Sequence, residues 1–259
     1  MRLDLYLVEN KICESRNKAS MLIKDKKVIV NSRVVCKPSF EVSVDDDIKI
    51  SCDGFQYVAR SAHKLLTAKS KFNLCFENKI AVDLGSSTGG FCEVMLQNDI
   101  KTIYAVDIGT NQLHARIRND DRVIVMENTN ARFLSSNMFD NQIDVVTCDL
   151  SFISLKLVLN SVYSVLKEGG EFICLVKPQF EVGPAFVGKN GVVRDKKARL
   201  NSVIEVIEQA LNTGFSLYDI SFSGLEGESG NKEYLLYLIK DNKNFKIDAS
   251  IINNVVLGD

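Results

Sequence analysis

The sequence is poor in metal ligands. Its 259 residues hold two histidines, and seven cysteines (13, 36, 52, 75, 92, 148 and 174) are scattered with no Cys-x-x-Cys pair. A zinc site needs several such ligands at short spacing, so no metal is expected. The odd, dispersed set reads as reduced structural thiols rather than a disulfide framework. Four of them, Cys75, Cys92, Cys148 and Cys174, lie in apolar stretches, where a free thiol behaves as a small hydrophobe. No apolar run approaches the roughly 18 residues that a membrane span requires. Asp4 and Glu9 interrupt the apolar core that a signal peptide would need. The expectation is a cytoplasmic protein with no membrane partner. Internal repeats and low-complexity tracts are also missing. What remains, 46% hydrophobic and 25% charged residues, is an ordinary globular composition. The length suits one large domain, or a large domain with a small module.

A net charge of −1 conceals an asymmetry. Residues 1–40 carry nine Lys/Arg against four acids, and residues 60–76 add Arg60, Lys64, Lys69, Lys71 and His63 with no acid. A basic front end on a neutral body fits a phosphate-backbone footprint, although charge clusters are often only solvated faces. Apolar spacing over 2–10 and 15–25 predicts two helices, the second capped by Ser15, whose hydroxyl can accept an orphan amide. Short strands follow at Val28–Val30, Val34–Val35 and Ile48–Ile50, with Asp45-Asp46-Asp47 as a turn. A boundary is expected near 51–57, at Asp53-Gly54. From residue 79 the rhythm becomes strand–helix alternation. The runs Ile80–Leu84, Thr102–Val106, Val123–Met126, Ile143–Cys148 and Phe172–Val176 read as strands buried on both faces of a parallel sheet. Leu217–Phe222 and Glu233–Ile239 are expected to pair antiparallel, and the last ten residues to be loosely attached.

The sharpest motif is Ala81-Val-Asp83-Leu-Gly85-Ser-Ser-Thr-Gly89-Gly90-Phe91, at a predicted strand-to-helix turn where doubly wound sheets bind nucleotides. It lacks the Gly-Lys-Ser/Thr of a P-loop and does not match Gly-x-Gly-x-x-Gly. An acid two residues before the first glycine suits S-adenosylmethionine (SAM), whose amino-acid end is cationic. Asp107, closing the next strand, can accept both ribose hydroxyls. A glycine turn with no ligand stays open as the alternative. Asp149 and Lys177 each follow an apolar strand, at the carboxyl edge where such sheets bind ligands. They suit either a reactive pair or a plain salt bridge.

Together these residues resemble a known family. Arg2-Leu-Asp-Leu-Tyr-Leu, Ser15-Arg16, Ala19, Ile23, Val28-Ile-Val-Asn31, Lys37-Pro-Ser39 and Asp47-Ile48 look like an S4 RNA-binding module. The remainder looks like an FtsJ-type SAM-dependent methyltransferase. Asp149-Leu-Ser-Phe-Ile-Ser154, Lys177-Pro-Gln-Phe-Glu-Val-Gly183 and Gly191-Val-Val-Arg-Asp195, in that domain order, resemble the TlyA family over roughly residues 2–240. The resemblance implies a Rossmann-like, mostly parallel seven-stranded α/β fold behind a small α+β domain. The expected division is 1–54 for the S4 domain, 55–60 for a linker and 61–259 for the methyltransferase domain. It also implies SAM-dependent 2′-O-methylation of a cytidine in ribosomal RNA. The family has long and short forms, and the start at Arg2-Leu-Asp4 matches the short form, which acts on the 23S RNA of the 50S subunit. Dual 16S and 23S activity is the alternative. An inactive RNA-binding assembly factor and a membrane-lytic haemolysin are the readings of another class.

From the family pattern, Lys64, Asp149, Lys177 and Glu233 form a catalytic tetrad. A ribose 2′-hydroxyl is a poor nucleophile until a base takes its proton or cations stabilise the alkoxide. The cofactor positions map onto Asp83, Gly85, Ser86, Ser87, Gly89, Gly90, Phe91, Asp107, Ile108 and Asp149, with Asn130-Ala131-Arg132 as an adenine-side loop; Asp83 is expected to orient the turn more than to touch the ligand. Arg2, Arg16, Lys18, Lys24 and Lys37 are the expected S4 phosphate contacts, with Arg60 and Lys69 continuing toward the active site. Two departures stand out. Lys26 occupies a place where the S4 pattern has glycine, and Phe55-Gln-Tyr57-Val58-Ala-Arg60 lacks the linker tryptophan of some relatives.

Overall fold

The computed structural model describes residues 1–258 except 14, 25, 44, 51–56, 228, 229 and 244. The expected boundary at 51–56, with Cys52 and linker positions 55 and 56, lies outside the described residues. The chain forms two units, Met1–Gln56 and Tyr57–Asp259.

In the first unit, α1 (Leu3–Glu9) and α2 (Arg16–Lys24) pack beside a three-stranded antiparallel sheet, β1 (Val28–Val30), β2 (Arg33–Val35) and β3 (Ile48–Ile50), in the order β2-β1-β3. Leu3, Leu7, Ala19, Leu22, Ile23, Val28 and Val30 form its core. The Ser15 hydroxyl accepts the Lys18 amide at 3.3 Å, as a cap should. Asn31 and Ser32 both have positive φ, the mirror-image turn that matches strand twist in a tight hairpin. Lys26 stands at φ +59°, so the position does demand the left-handed conformation, and a lysine bears it.

The second unit centres on a seven-stranded sheet. Its strands are β4 (Ile80–Leu84), β5 (Thr102–Val106), β6 (Val123–Met126), β7 (Ile143–Cys148), β8 (Leu166–Val176), β9 (Phe215–Phe222) and β10 (Tyr234–Lys240), in the order β6-β5-β4-β7-β8-β10-β9. The first five are parallel, and β10 runs antiparallel to β8 and β9. This is the sheet of SAM-dependent methyltransferases, and its topological switch falls between β5 and β7 on either side of β4. Crossover helices follow the strands: α3 (Ala62–Phe72) precedes β4, then come α4 (Gly90–Leu96), α5 (Ala115–Arg118), α6 (Leu159–Val165), α7 (Pro178–Glu181) and α8 (Lys196–Thr213). The longest, α8, is capped by the Asp195 carboxylate, which accepts two backbone amides, and stops at left-handed Gly214.

Three expectations are corrected. β8 begins at Leu166 rather than Phe172, because Leu166 finds a partner in Ile143 across a register irregularity. The terminus is not loose: α9 (Ala249–Leu257) is capped by Asp248 and buries Ile252 and Val256 in the main core. Cys75 is exposed despite its apolar neighbours. Among the described residues no helix is long and apolar enough to cross a membrane.

Candidate active site

Sheet register brings the tetrad together. Leu84 pairs with Cys148, and Cys148 with Cys174, so β4, β7 and β8 end almost level and release Asp149 and Lys177 at one edge. Since β10 is antiparallel, its first residue, Tyr234, faces Val176, which puts Glu233 beside Lys177. Helix α3 supplies the fourth member. It buries Ala62, Leu65, Ala68 and Phe72 against the sheet, and the same side carries Lys64 inward.

Lys177 Nζ lies 2.6 Å from Asp149 Oδ1. Lys64 Nζ lies 3.2 Å from Asp149 Oδ2 and 2.7 Å from Glu233 Oε2. The result is an alternating chain of two cations and two anions, with the side chain of every member at most 13% exposed. Burial alone would drive Lys64 toward neutrality, but the Asp149 and Glu233 carboxylates outweigh it and raise its pKa. Burial likewise pushes Asp149 up, and Lys177 and Lys64 overcome it to hold the carboxyl below its usual range. The tetrad therefore keeps Asp149 ionised and Lys64 protonated in a poorly hydrated place.

The motifs around this site hold four further residues that the expected set leaves out. The Ser151 hydroxyl accepts from Lys177 Nζ at 2.8 Å. Gln179 Nε2 points at Glu233 Oε1 at 3.5 Å. Glu181 accepts from the Ser154 hydroxyl and the Leu155 amide, both at 2.6 Å, and so ties the loop after β7 to the turn after β8. Burial raises its pKa. Phe152 is 92% exposed, sits at φ +63° and lies 5.2 Å from the Phe180 ring. Left-handed backbone on a bulky residue is strained, and such strain clusters at functional sites. The available signal was an aromatic two residues before a helix-capping serine, which reads equally as a buried loop residue.

The glycine turn lies next to the tetrad. Gly85 and Gly89 have φ +77° and +96°, and a Cβ on Gly85 would stand 2.9 Å from the Asp149 carbonyl oxygen. A Cβ on Gly90 would meet the Ser61 hydroxyl at 2.4 Å. These glycines thus permit protein backbone to approach protein, which brings the turn up to the catalytic loop. Ser86 is buried in the turn and Ser87 exposed. The Asp107 carboxylate accepts the Ser87 and Gly109 amides, each at 2.8 Å. Each oxygen has a further lone pair for a ribose hydroxyl. Ile108 beside it is 68% exposed, an apolar flank suited to a purine face. Asn130 caps the turn before exposed Arg132, whose guanidinium lies over the Phe133 ring. An anionic diol acceptor, an apolar flank and a bare-backbone turn are the chemistry that a cationic amino-acid nucleoside requires.

Three expected cofactor contacts are corrected. Asp83 is 1% exposed and spends its oxygens on the Thr147 hydroxyl (2.8 Å) and the Cys92 thiol (3.1 Å). Burial pushes its pKa up to about 6. It holds the turn from beneath. The side chains of Phe91 and Ala131 are core residues, so they offer a ligand at most backbone.

The expected nucleic-acid contacts are spread over both units. In the first unit Lys24 and Lys37 are exposed and Lys18 is half-buried. Arg2 and Arg16 both bond the carboxylate of buried Asp4, at 3.0 and 2.9 Å. In the second unit Arg60 donates to the Glu226 carbonyl, and Lys69 is half-buried on α3. The segment 57–60, expected as linker, packs on the second unit: Val58 N–H donates to Glu93 and the Tyr57 ring meets His63 edge-on.

Residues 57–240 match the FtsJ-like methyltransferase family and residues 1–48 match the S4 domain. The chain belongs to the TlyA family of S4-bearing, FtsJ-like methyltransferases. It is 39% identical to the 16S/23S rRNA (cytidine-2′-O)-methyltransferase TlyA of Mycobacterium tuberculosis, over 92% of this chain and 89% of that one. It is 34% identical to the 23S rRNA (cytidine-2′-O)-methyltransferase TlyA of Campylobacter jejuni, over 93% of this chain and 100% of that one. A solved structure from Streptococcus thermophilus, named for hemolysin, matches with a TM-score of 0.80 at 36% identity, covering 100% of this chain and 94% of that one. The family assignment accounts for the tetrad's place, at the carboxyl edge of a methyltransferase sheet.

Proposed function

We propose that this TlyA-family chain uses SAM to methylate the 2′-hydroxyl of a cytidine in ribosomal RNA, with 23S RNA of the 50S subunit as its target in the cytoplasm. The observation that carries the reading is the buried Lys177 ammonium, held between Asp149 and Ser151 one residue beyond β8. SAM, when bound, supplies an electrophilic methyl group that needs no activation. The difficulty then lies with the nucleophile. As the ribose oxygen attacks, its hydroxyl proton passes to solvent and Lys177 stabilises the negative charge that develops there; the two acceptors fix the direction of Lys177 beforehand, so little reorganisation is needed during reaction. Lys64 and Lys177 together balance Asp149 and Glu233, which limits the repulsion between the two carboxylates and that oxygen. Phe152 offers an exposed aromatic face on which an unstacked base can lie, a contact that tolerates any base. The 23S preference is supported by the Campylobacter jejuni relative, which the match covers from end to end.

The test is tritium transfer from labelled SAM to unmodified 30S and 50S subunits, with Lys177→Ala alongside. The expected result is label in 50S RNA that the substitution removes while RNA binding persists. Label in both subunits would replace the subunit choice by dual specificity. RNA binding with no label anywhere would overturn the reading in favour of an assembly factor.

A further inference from the structure

Helix α3 presents a second face. Lys64 turns inward to the tetrad, whereas His63, Thr67, Ser70 and Lys71 form one wall of an open groove of about 500 Å³, opposite Gly224 and Leu225. The same two walls bound the active site. Lys64 adjoins His63 on the helix, and Gly227, three residues past Gly224, packs on Glu233, where an added Cβ would stand 2.7 Å from Oε1. The groove therefore begins beside the tetrad, one residue from Lys64, and runs along α3.

Its chemistry points one way. Among the described residues no carboxylate side chain lines it, and residues 57–76 contain no Asp or Glu, although Glu226 follows the opposite wall by one residue. Lys71 is exposed and makes no ion pair among the described residues, while Ser70 offers an exposed hydroxyl and His63 an imidazole. The opposite wall pairs the Leu225 side chain with bare backbone at Gly224. Gly224 has φ +79°, and a Cβ there would come within 2.8 Å of the Thr67 hydroxyl. Hydroxyl, imidazole and ammonium donors beside the apolar Leu66 and Leu225 suit an extended ligand that carries both anionic and apolar parts, and the groove's place next to the tetrad says which one.

We propose that this groove binds the sugar–phosphate backbone of the RNA strand adjoining the nucleotide whose ribose enters the tetrad. The proposal rests on the methyl-transfer reading of that tetrad. Phosphate contacts of this kind fix register without reading sequence. Their loss weakens RNA capture and leaves the chemistry of bound RNA alone.

The experiment uses the full chain with unmodified ribosomal RNA and SAM. It compares Lys71→Glu and Ser70→Glu with Lys101→Glu, an exposed charge at the opposite, amino-terminal edge of the sheet. Lys71→Glu should raise the RNA KM by about tenfold or more and lower the salt slope of binding by about one. Its kcat at saturating RNA and its SAM affinity should stay within twofold of the parent, and Lys101→Glu should change none of these. Lys71→Gln replaces the reversal if Lys71→Glu does not fold. An unchanged RNA KM in both groove variants would overturn the proposal, as would an equal rise in Lys101→Glu. A parent that binds RNA without methylating it would instead sink the methyl-transfer reading. In that event the RNA-binding isotherms of the same variants, with the same tenfold criterion, decide the groove.

Discussion

Each unit buries a carboxylate between two cations, and the two clusters do different work. In the first unit Asp4 is 1% exposed and takes hydrogen bonds from Arg2 and Arg16, whose guanidiniums remain 41% and 55% exposed. In the second, Asp149 lies between Lys177 and Lys64, and both ammonium groups are buried with it. Arginine is planar, permanently charged and weakly hydrated, so it makes a dependable latch between helix starts. Lysine is a compact charge that can lose its proton, and burying two of them is costly unless chemistry requires it. The contrast fits a structural role for the first cluster and the proposed reactive role for the second.

The most severe way to test that contrast is to make the reactive cluster resemble the latch. Lys177→Arg keeps the charge beside Asp149 but spreads it over a fork that cannot fit the place of an ammonium group. Methyl transfer should fall on the order of 10³-fold, as for loss of a preorganised donor, while overpacking of the buried place costs about 1–3 kcal/mol of stability and leaves the protein folded. Activity within tenfold of the parent would mean that charge alone suffices and would erase the distinction.

The latch makes a smaller, pH-dependent prediction. The hydrogen bond from Arg2, and then those of Arg16, hold Asp4 down at about 2 against an ordinary 3.8, despite its burial. A lowered folded-state pKa means the unfolded chain binds more protons. Stability is therefore full above pH 3.8 and drains away as pH falls toward 2. Because the partners are half exposed, the contribution is discounted to about 1 kcal/mol. Chemical unfolding of the parent and Asp4→Asn should give a gap of that size at pH 6 that closes near pH 2. A gap independent of pH would show that packing, and not the ion pairs, stabilises the cluster.

The mildest comparison sets two strained residues side by side. Lys26 and Phe152 have φ +59° and +63°, and glycine relieves either by about 1 kcal/mol. Lys26→Gly should stabilise the protein and leave methyl transfer untouched. Phe152→Gly should lose little packing, since the ring is exposed, yet reduce transfer about tenfold through the lost stacking surface. Equal activity in the two variants would remove Phe152 from the site.

Much of this was legible in the chain itself. Near-continuous apolar runs located β4 to β7 to the residue, because strands buried on both faces admit little that is polar; β6, at the sheet edge, departs from the expected burial and leaves Ile124 40% exposed. The Lys26 anomaly was visible as a missing glycine. The role of Glu181 was not, because a carboxylate in a motif looks the same whether it faces a ligand or a neighbouring loop. The C-terminal helix was hidden for a similar reason: its apolar face is short, and only contact with α8 and β9 makes it worth forming.

By itself, then, the sequence determined which segments are strands, where the glycine turn must bend and which residue types were available for chemistry. These are local properties of periodicity, backbone freedom and charge. Tertiary structure alone decided that Lys64, Asp149, Lys177 and Glu233 meet, from positions up to 169 residues apart. That meeting depends on β10 running antiparallel, which places its beginning against the end of β8. Strand direction is fixed by long-range pairing and by where the connecting loops can reach, and neither is written in any single stretch of the chain.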